Sequence, residues 1–391
     1  MKLLLDLGAS RIKCCLSDEQ GIVKSASLPS PSVKNYSTVK NHYTVPKELY
    51  RDSILSLLND LYTDAVTGVY VCTEMHGFLL GSQYISWKDN RAKFTTEQAK
   101  TFFDITGMKL RPGIAYATLL HEAIENNKIG TLLDTFLDSP ATHINISLAA
   151  SLGFVDKNTK QYSSQLLKNE MGTVTTDLTR PIGTVTVQGK QLPVYGGVGD
   201  LQAALLGCGI GKNVDAVINL GTGSQVVCTT DVIDNHEIRP MPNGSYVKVI
   251  THIPCGRALT IIAENLGTNR FWSTWQNLTS EKVLTTDPNQ AQLSFFESAW
   301  NYSPQSGYIK FQENQTFEDL VAAIAHSWVM QYVKCLEVLD SKKEKFTVLL
   351  AGGVSHKTQF FKETIEEYSN RNFIHSKTVT GEETLDGLLN L

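Results

Sequence analysis

Residues 2–17 read KLLLDLGASRIKCCLS. Short apolar runs flank a turn at Gly8, and a carboxylate, Asp6, stands just ahead of it. This predicts a strand, a glycine turn and a second strand. Asp18-Glu19-Gln20-Gly21 supplies the next turn, so the segment is a β-hairpin rather than a strand running into a helix. The pattern returns late in the chain, where residues 215–230 read DAVINLGTGSQVVCTT. There an apolar strand, a Gly221-Thr222-Gly223-Ser224 turn and a second apolar strand follow one another. Asp6-Leu7-Gly8-Ala9-Ser10 matches Asn219-Leu220-Gly221-Thr222-Gly223, an internal repeat that predicts two related α/β lobes facing each other.

The rest of the chain fits around these hairpins. Leu49, Ile54, Leu57, Leu58 and Leu61 recur at helical spacing and predict an amphipathic helix within residues 47–65. A strand over Val69 to Cys72 then opens into Thr73-Glu74-Met75-His76-Gly77, a strand end of the kind where α/β proteins place chemistry. A third glycine turn, Ala351-Gly352-Gly353-Val354-Ser355, follows a strand over Phe346 to Leu350 and precedes a helix over Gln359 to Tyr368. A long, strongly amphipathic helix is expected over Thr316 to Leu339. The boundary is placed near Gly196 to Gly199, giving lobes 1–197 and 198–391. No low-complexity linker separates them, so a tight join is expected.

Composition narrows the function classes. The chain has 391 residues, 42% hydrophobic and 19% charged, with a net charge of −4. These are the values of an ordinary globular protein with material for two cores. No block of like charge occurs, and no basic cluster marks a nucleic-acid surface. No apolar run is long enough for a membrane span or a signal-peptide core, and the expected location is the cytoplasm. The seven cysteines include no CxxC pair. They read as free buried thiols rather than a zinc site or a disulfide framework. Gly197-x-Gly199-x-x-Gln202 lacks the third glycine of a dinucleotide fingerprint, and no GxxxxGK[ST], HExxH or GxSxG motif is present.

Three clusters could carry chemistry. Glycine turns after strands let backbone N–H groups approach phosphates, and Asp6 beside the first could hold Mg²⁺ through water. The same turns read equally well as plain hairpins. Gly199-Asp200-Leu201-Gln202 places an aspartate between a glycine-rich turn and the apolar helix Ala203 to Leu206. It is either a helix N-cap or a general base for a sugar hydroxyl. Met75-His76-Gly77 with Trp87-Lys88-Asp89-Asn90-Arg91 could line a polyol pocket, although a lone histidine is more often structural.

In this order the segments resemble the FGGY carbohydrate kinases over nearly the whole chain. Asp6 to Ser10 with Lys13 resembles the family's first phosphate motif. Met75-His76-Gly77 is similar to the ketose-kinase substrate motif, and Trp87 to Arg91 to W-x-D-x-R. Asp200 stands at the catalytic aspartate. Residues 215–226 resemble the second phosphate motif, Leu350 to Ser355 the adenosine motif, and Glu382 to Gly387 the terminal helix. The resemblance implies two ribonuclease-H-like lobes of the actin/hexokinase superfamily around a central cleft, closing to exclude water. It implies an ATP- and Mg²⁺-dependent kinase acting on a small-molecule sugar, with no nucleic acid or membrane partner and room for a homodimer. Asp200 would be the base and Asp6 the metal residue. Met75, His76, Trp87, Asp89 and Asp200 would bind sugar; Gly8, Ser10, Lys13, Gly221, Thr222, Gly223, Gly352 and Gly353 would bind nucleotide. Within the family the segments resemble the sedoheptulokinase branch, with the xylulokinase branch as rival. From another class, the rivals are a non-catalytic sugar- or nucleotide-binding regulator and a nucleotide-switched interaction protein. Departures are Glu74 where glutamine is usual, Thr118 and His121 in place of lysine and tryptophan, Thr358 in place of an asparagine, and a short second lobe.

Overall fold

A computed structural model describes every residue except 304, 341–346, 356–357 and 370. The chain is α/β and divides into two compact units. The first comprises Met1–Gly207, Asp231–Tyr246 and Thr378–Leu391; the second comprises Cys208–Thr230 and Val247–Lys377. This differs from a single break at 197/198, for physical reasons. The terminal helix Glu383–Leu389 crosses the helix Asp200–Gly207 so closely that only glycines fit. A Cβ on Gly387 would run into the Ala203 carbonyl, and one on Gly207 into the Glu383 carbonyl. Leu385 and Leu388 bury with Leu4, Cys72, Val198 and Ala203. The 231–246 segment is held by the Glu237 carboxylate, which pairs with Arg111 at 3.1 Å, and by the Gln202 amide, which donates to the Pro240 carbonyl at 3.2 Å.

The sheet of the first unit runs in the order Gly183–Val187, Lys190–Gly199, Gly68–Thr73, Lys2–Leu7, Arg11–Asp18, Gly21–Pro29. Lys2–Leu7 is antiparallel to its hairpin partner and parallel to Gly68–Thr73, which is parallel in turn to Lys190–Gly199. The predicted first hairpin is therefore present. The predicted helix is present too, as Lys47–Leu61, which buries Ile54, Leu57, Leu58 and Leu61 as the spacing requires.

In the second unit, five strands lie in the order Tyr246–Ile253, Ser224–Thr230, Ala216–Leu220, Thr347–Ala351, Asn372–His375. Ala216–Leu220 is antiparallel to Ser224–Thr230 and parallel to Thr347–Ala351, which is parallel to Asn372–His375. The two sheets thus share one strand plan: a hairpin whose first strand has parallel neighbours on its other side. The internal repeat read from the glycine turns is a repeat of topology. The third strand starts at Thr347; Phe346, its expected first residue, lies outside the described residues.

The helix Phe317–Leu339 is not an amphipathic surface helix. Thr316 caps it in a capping box with Asp319, and sixteen of its residues are buried. Trp328 packs on Trp275 and Phe361, so the helix is the spine of the core rather than its cover. All seven cysteines are free and buried. Among the described residues, no helix is long and apolar enough to cross a membrane.

Candidate active site

The first unit brings three carboxylates to one edge of its sheet. Leu7, Thr73 and Gly199 are in register across the three adjacent parallel strands. Asp6 lies one residue before that line, and Glu74 and Asp200 one residue beyond it. Neighbouring strands are about 4.8 Å apart, so the sheet itself assembles the cluster at the C-terminal strand ends. A glycine bulge aims the third strand: the register shifts between Gly196 and Val198, and Gly196 and Gly197 both have positive φ. A side chain on Gly196 would press on the Val71 carbonyl.

Asp6 is 5% exposed. Its Oδ1 accepts from the Cys72 thiol at 3.5 Å and its Oδ2 from the Thr384 hydroxyl at 3.2 Å. Burial raises its pKa, opposed by Lys13, which lies directly across the hairpin. The Lys13 ammonium is paired with Glu382. Asp200 opens its helix, and its own Oδ1 accepts from the Leu201 N–H at 2.7 Å. Burial, and next the Asp6 charge, push its pKa up to about 7. Asp200 therefore combines local helix capping with the titration of a group near neutrality.

Glu74 is 2% exposed. Its Oε2 accepts from the Trp87 indole N–H at 3.0 Å and its Oε1 from the Tyr50 hydroxyl at 3.3 Å. Burial raises its pKa. The carboxylate anchors an indole that is itself 43% exposed. Asp89, expected to touch sugar, is buried and structurally engaged. It accepts from the Tyr43 N–H at 2.7 Å and from Arg91 Nε and Nη2 at 2.9 and 2.8 Å. It braces the loop that carries Trp87. Lys88 donates to the Ser32 carbonyl at 2.7 Å.

His76 adopts φ +75°. Its Nδ1 lies 2.7 Å from the Ser151 carbonyl, which assigns the proton to Nδ1. Burial, then the guanidinium of Arg239, lower its pKa to about 3, so the ring is neutral. Met75 lies against Gly199, where a Cβ would come within 2.8 Å of its sulfur. Gly8 turns the first hairpin, and Ser10 is exposed there. Thr118, at a departure from the family pattern, is buried, and its hydroxyl has no hydrogen-bond partner among the described residues.

The second unit holds a separate feature. Gly352, at φ +84°, packs against the end of Ala216–Leu220, where a side chain would clash with Asn219 and Leu220. The Val354 N–H donates to the Leu220 carbonyl at 3.0 Å, joining the second and third glycine turns. A cavity of about 770 Å³ opens beside them, lined by Gly221, Thr222, Arg257, Trp272, Gln276 and Thr358 among others. Its size and mixed lining suit a small organic ligand. Thr358 spends its hydroxyl on the Val354 carbonyl at 2.9 Å. Gly223 and Gly353 are exposed at the turn tips.

Sequence reasoning missed two sets. Arg257, Trp272 and Gln276 fall on helices Gly256–Leu266 and Thr268–Gln276, where their only signal was the aromatic spacing of residues 271–275. Arg239 and Glu237 lie in residues 231–246, a stretch to which the sequence analysis assigned no element. The alternation Glu237-Ile238-Arg239 was the available clue. Among the described residues, no group of three or more His, Cys, Asp or Glu is arranged to hold a metal.

No protein-family model matches the sequence, and no curated protein does. Solved structures do. A ligand-bound xylulose kinase from Lactobacillus acidophilus is similar over 100% of this chain and 88% of its own, at 14% identity and TM-score 0.81. A gluconate kinase from the same organism matches over 99% and 88%, at 16% identity and TM-score 0.79. A glycerol kinase from Plasmodium falciparum with ADP matches over 99% and 88%, at 16% identity and TM-score 0.78. The chain therefore has the α/β fold that these three kinases share.

Proposed function

We propose that the chain is an ATP-dependent carbohydrate kinase that phosphorylates a primary hydroxyl of a ketose, with sedoheptulose favoured. The observation that carries the reading is Asp200, a strand-end carboxylate with a pKa of about 7, where a general base works best near neutral pH. Asp200 takes the proton of the sugar hydroxyl, whose oxygen forms a bond to the γ-phosphorus as the bond to ADP breaks. The indole of Trp87, held by Glu74, and neutral His76 orient the sugar. Backbone N–H groups at Thr222 and Gly223 would receive phosphate oxygens; the turn at Gly8, with Ser10 and Lys13 beside it, offers donors of the same kind in the first unit. Gly221 lines the 770 Å³ cavity, which would take the nucleotide; Gly352 and Gly353 belong to the turn that joins it through Val354, itself a lining residue.

Mg²⁺ fits the donor set. The Asp6 charge raises the cost of charging Asp200, a repulsion that a bound cation would relieve. One or two carboxylates plus phosphates is the usual coordination of this ion. Asp6 would hold it, directly or through water, and the ion would offset phosphate charge. Seven free thiols suit a reducing compartment, in keeping with the cytoplasm.

The rival substrate is a ketopentose, since one of the structural neighbours is a xylulose kinase. ADP release measured against a panel of ketoses, at saturating ATP and Mg²⁺, tests both readings. Sedoheptulose should give a higher kcat/KM than D-xylulose, and Asp200→Asn should lower kcat by ~10²–10⁴. A preference for D-xylulose would reassign the substrate; absence of ADP release with every sugar would overturn the kinase reading.

A further inference from the structure

Arg239 lies near the sugar-side cluster, and the proposed reaction leaves its chemistry unused. It sits in Ile238–Pro240, a buried strand of the 231–246 segment. Its side chain is 4% exposed. Nη2 donates to Glu237 Oε1 at 2.6 Å, while Nε and Nη1 have no partner among the described residues. A guanidinium carries five donors and no acceptor, and buried donors left unpaired are unfavourable.

The neighbourhood is the edge that carries Asp200. The next residue, Pro240, accepts from Gln202, two positions beyond Asp200. Gly199, on the other side of Asp200, touches Met75, which precedes His76. Glu237 also accepts from Arg111 Nη1 and Nη2 at 3.3 and 3.1 Å and from the Lys109 N–H at 3.4 Å. Two guanidiniums thus share one carboxylate beside a neutral histidine. The unpaired Nε and Nη1 of Arg239 can only donate, and an oxygen that only accepts, a carbonyl or a carboxylate, meets them without offering a competing donor of its own.

We propose that Arg239 reads the substrate, donating to an acceptor-only oxygen of an open-chain sugar, either a keto oxygen or the carboxylate of a sugar acid. The assignment rests on the kinase reading above and sharpens its substrate class. Alditols, which offer only hydroxyls, are the discriminated-against set.

The test uses the full chain and three five-carbon ligands with matched hydroxyls: D-xylulose, D-xylonate and xylitol. Calorimetric titration should show the ketose or the acid binding about 10- to 100-fold more tightly than xylitol, the range for a hydrogen bond to a charged group. Preference for D-xylulose assigns the keto oxygen, and preference for D-xylonate the carboxylate. Arg239→Lys keeps a cation for Glu237 but loses the remaining guanidinium donors. It should bring the ratio near one by weakening the ketose or the acid more than xylitol. If that variant does not fold, the wild-type ratios alone decide. Equal binding of all three ligands, or binding of none, overturns the proposal. ADP release with equal xylitol binding would sink the Arg239 assignment and keep the kinase. Discrimination without ADP release on any sugar would do the reverse.

Discussion

Asp200 keeps its proton to about pH 7 in the folded chain, against an ordinary value of 3.8. Between those limits the folded state binds the extra proton. Stability therefore falls as pH rises through that window, the opposite of a salt-bridged carboxylate. Asp6 and Glu74 are shifted in the same direction by burial and add to the slope. The melting temperature of the ligand-free protein should drop from about pH 5 to about pH 7.5, and Asp200→Asn should flatten the drop. Equal slopes in the two proteins would show that Asp200 is not the source. Glu74 makes a different prediction. Its two oxygens receive the Trp87 and Tyr50 donors, and an amide has only one oxygen to offer. Glu74→Gln should loosen the indole, raising KM for the sugar several-fold with kcat nearly unchanged, the signature of lost uniform binding. Steady-state kinetics separate this from a catalytic role, in which kcat would fall with kcat/KM.

The crossing of Asp200–Gly207 with Glu383–Leu389 depends on two missing side chains. Gly387→Ala would force a methyl into a backbone carbonyl, which cannot move aside as a flexible side chain could. Overpacking costs typically 1–3 kcal/mol and more against backbone, so the urea midpoint should fall by at least about 1 kcal/mol equivalent. An unchanged midpoint would mean that the helices can part freely. How much of this was legible in the sequence depends on the range of the interaction. Local chemistry was readable: the hairpins at Gly8 and Gly221, the helix over Lys47–Leu61, and the strand end before Glu74. The burial of Phe317–Leu339 was not, because its polar residues imitate a solvated face. Ser327 instead accepts from the Ala291 N–H at 3.1 Å, and His326 lies 2.9 Å from the Thr286 carbonyl and 2.6 Å from the Tyr368 hydroxyl. Those partners come from elsewhere in the chain, and periodicity holds no record of them. The partners of Asp89 were illegible for the same reason: its motif marked the loop, while the hydrogen bonds its carboxylate makes to the Tyr43 N–H and to Arg91 appear only in the structure.

The chain passes between its two units four times, so neither unit is one continuous stretch. The first unit depends on its distant pieces for packing and for polar pairing. Leu385 and Leu388 from the C-terminus and Ala203 from the helix after the boundary complete the cluster that holds Leu4, Cys72 and Val198. Thr384 satisfies Asp6, and Glu237 from the 231–246 segment pairs with Arg111. A fragment cut at the boundary read from the sequence, residues 1–197, would lack all of these. Its truncation exposes apolar surface on Leu4 and Cys72 and leaves the Asp6 carboxyl without its Thr384 donor. A domain is marginal by 5–15 kcal/mol, and the loss of several buried side chains at roughly 1.5–3 kcal/mol each consumes most of that margin. The 1–197 fragment should therefore show no cooperative thermal transition by circular dichroism. A fragment that joins residues 1–207 to 231–246 and 378–391 through short flexible linkers should recover one. Cooperative melting of the 1–197 piece by itself would show that the distant segments decorate a finished core rather than complete it.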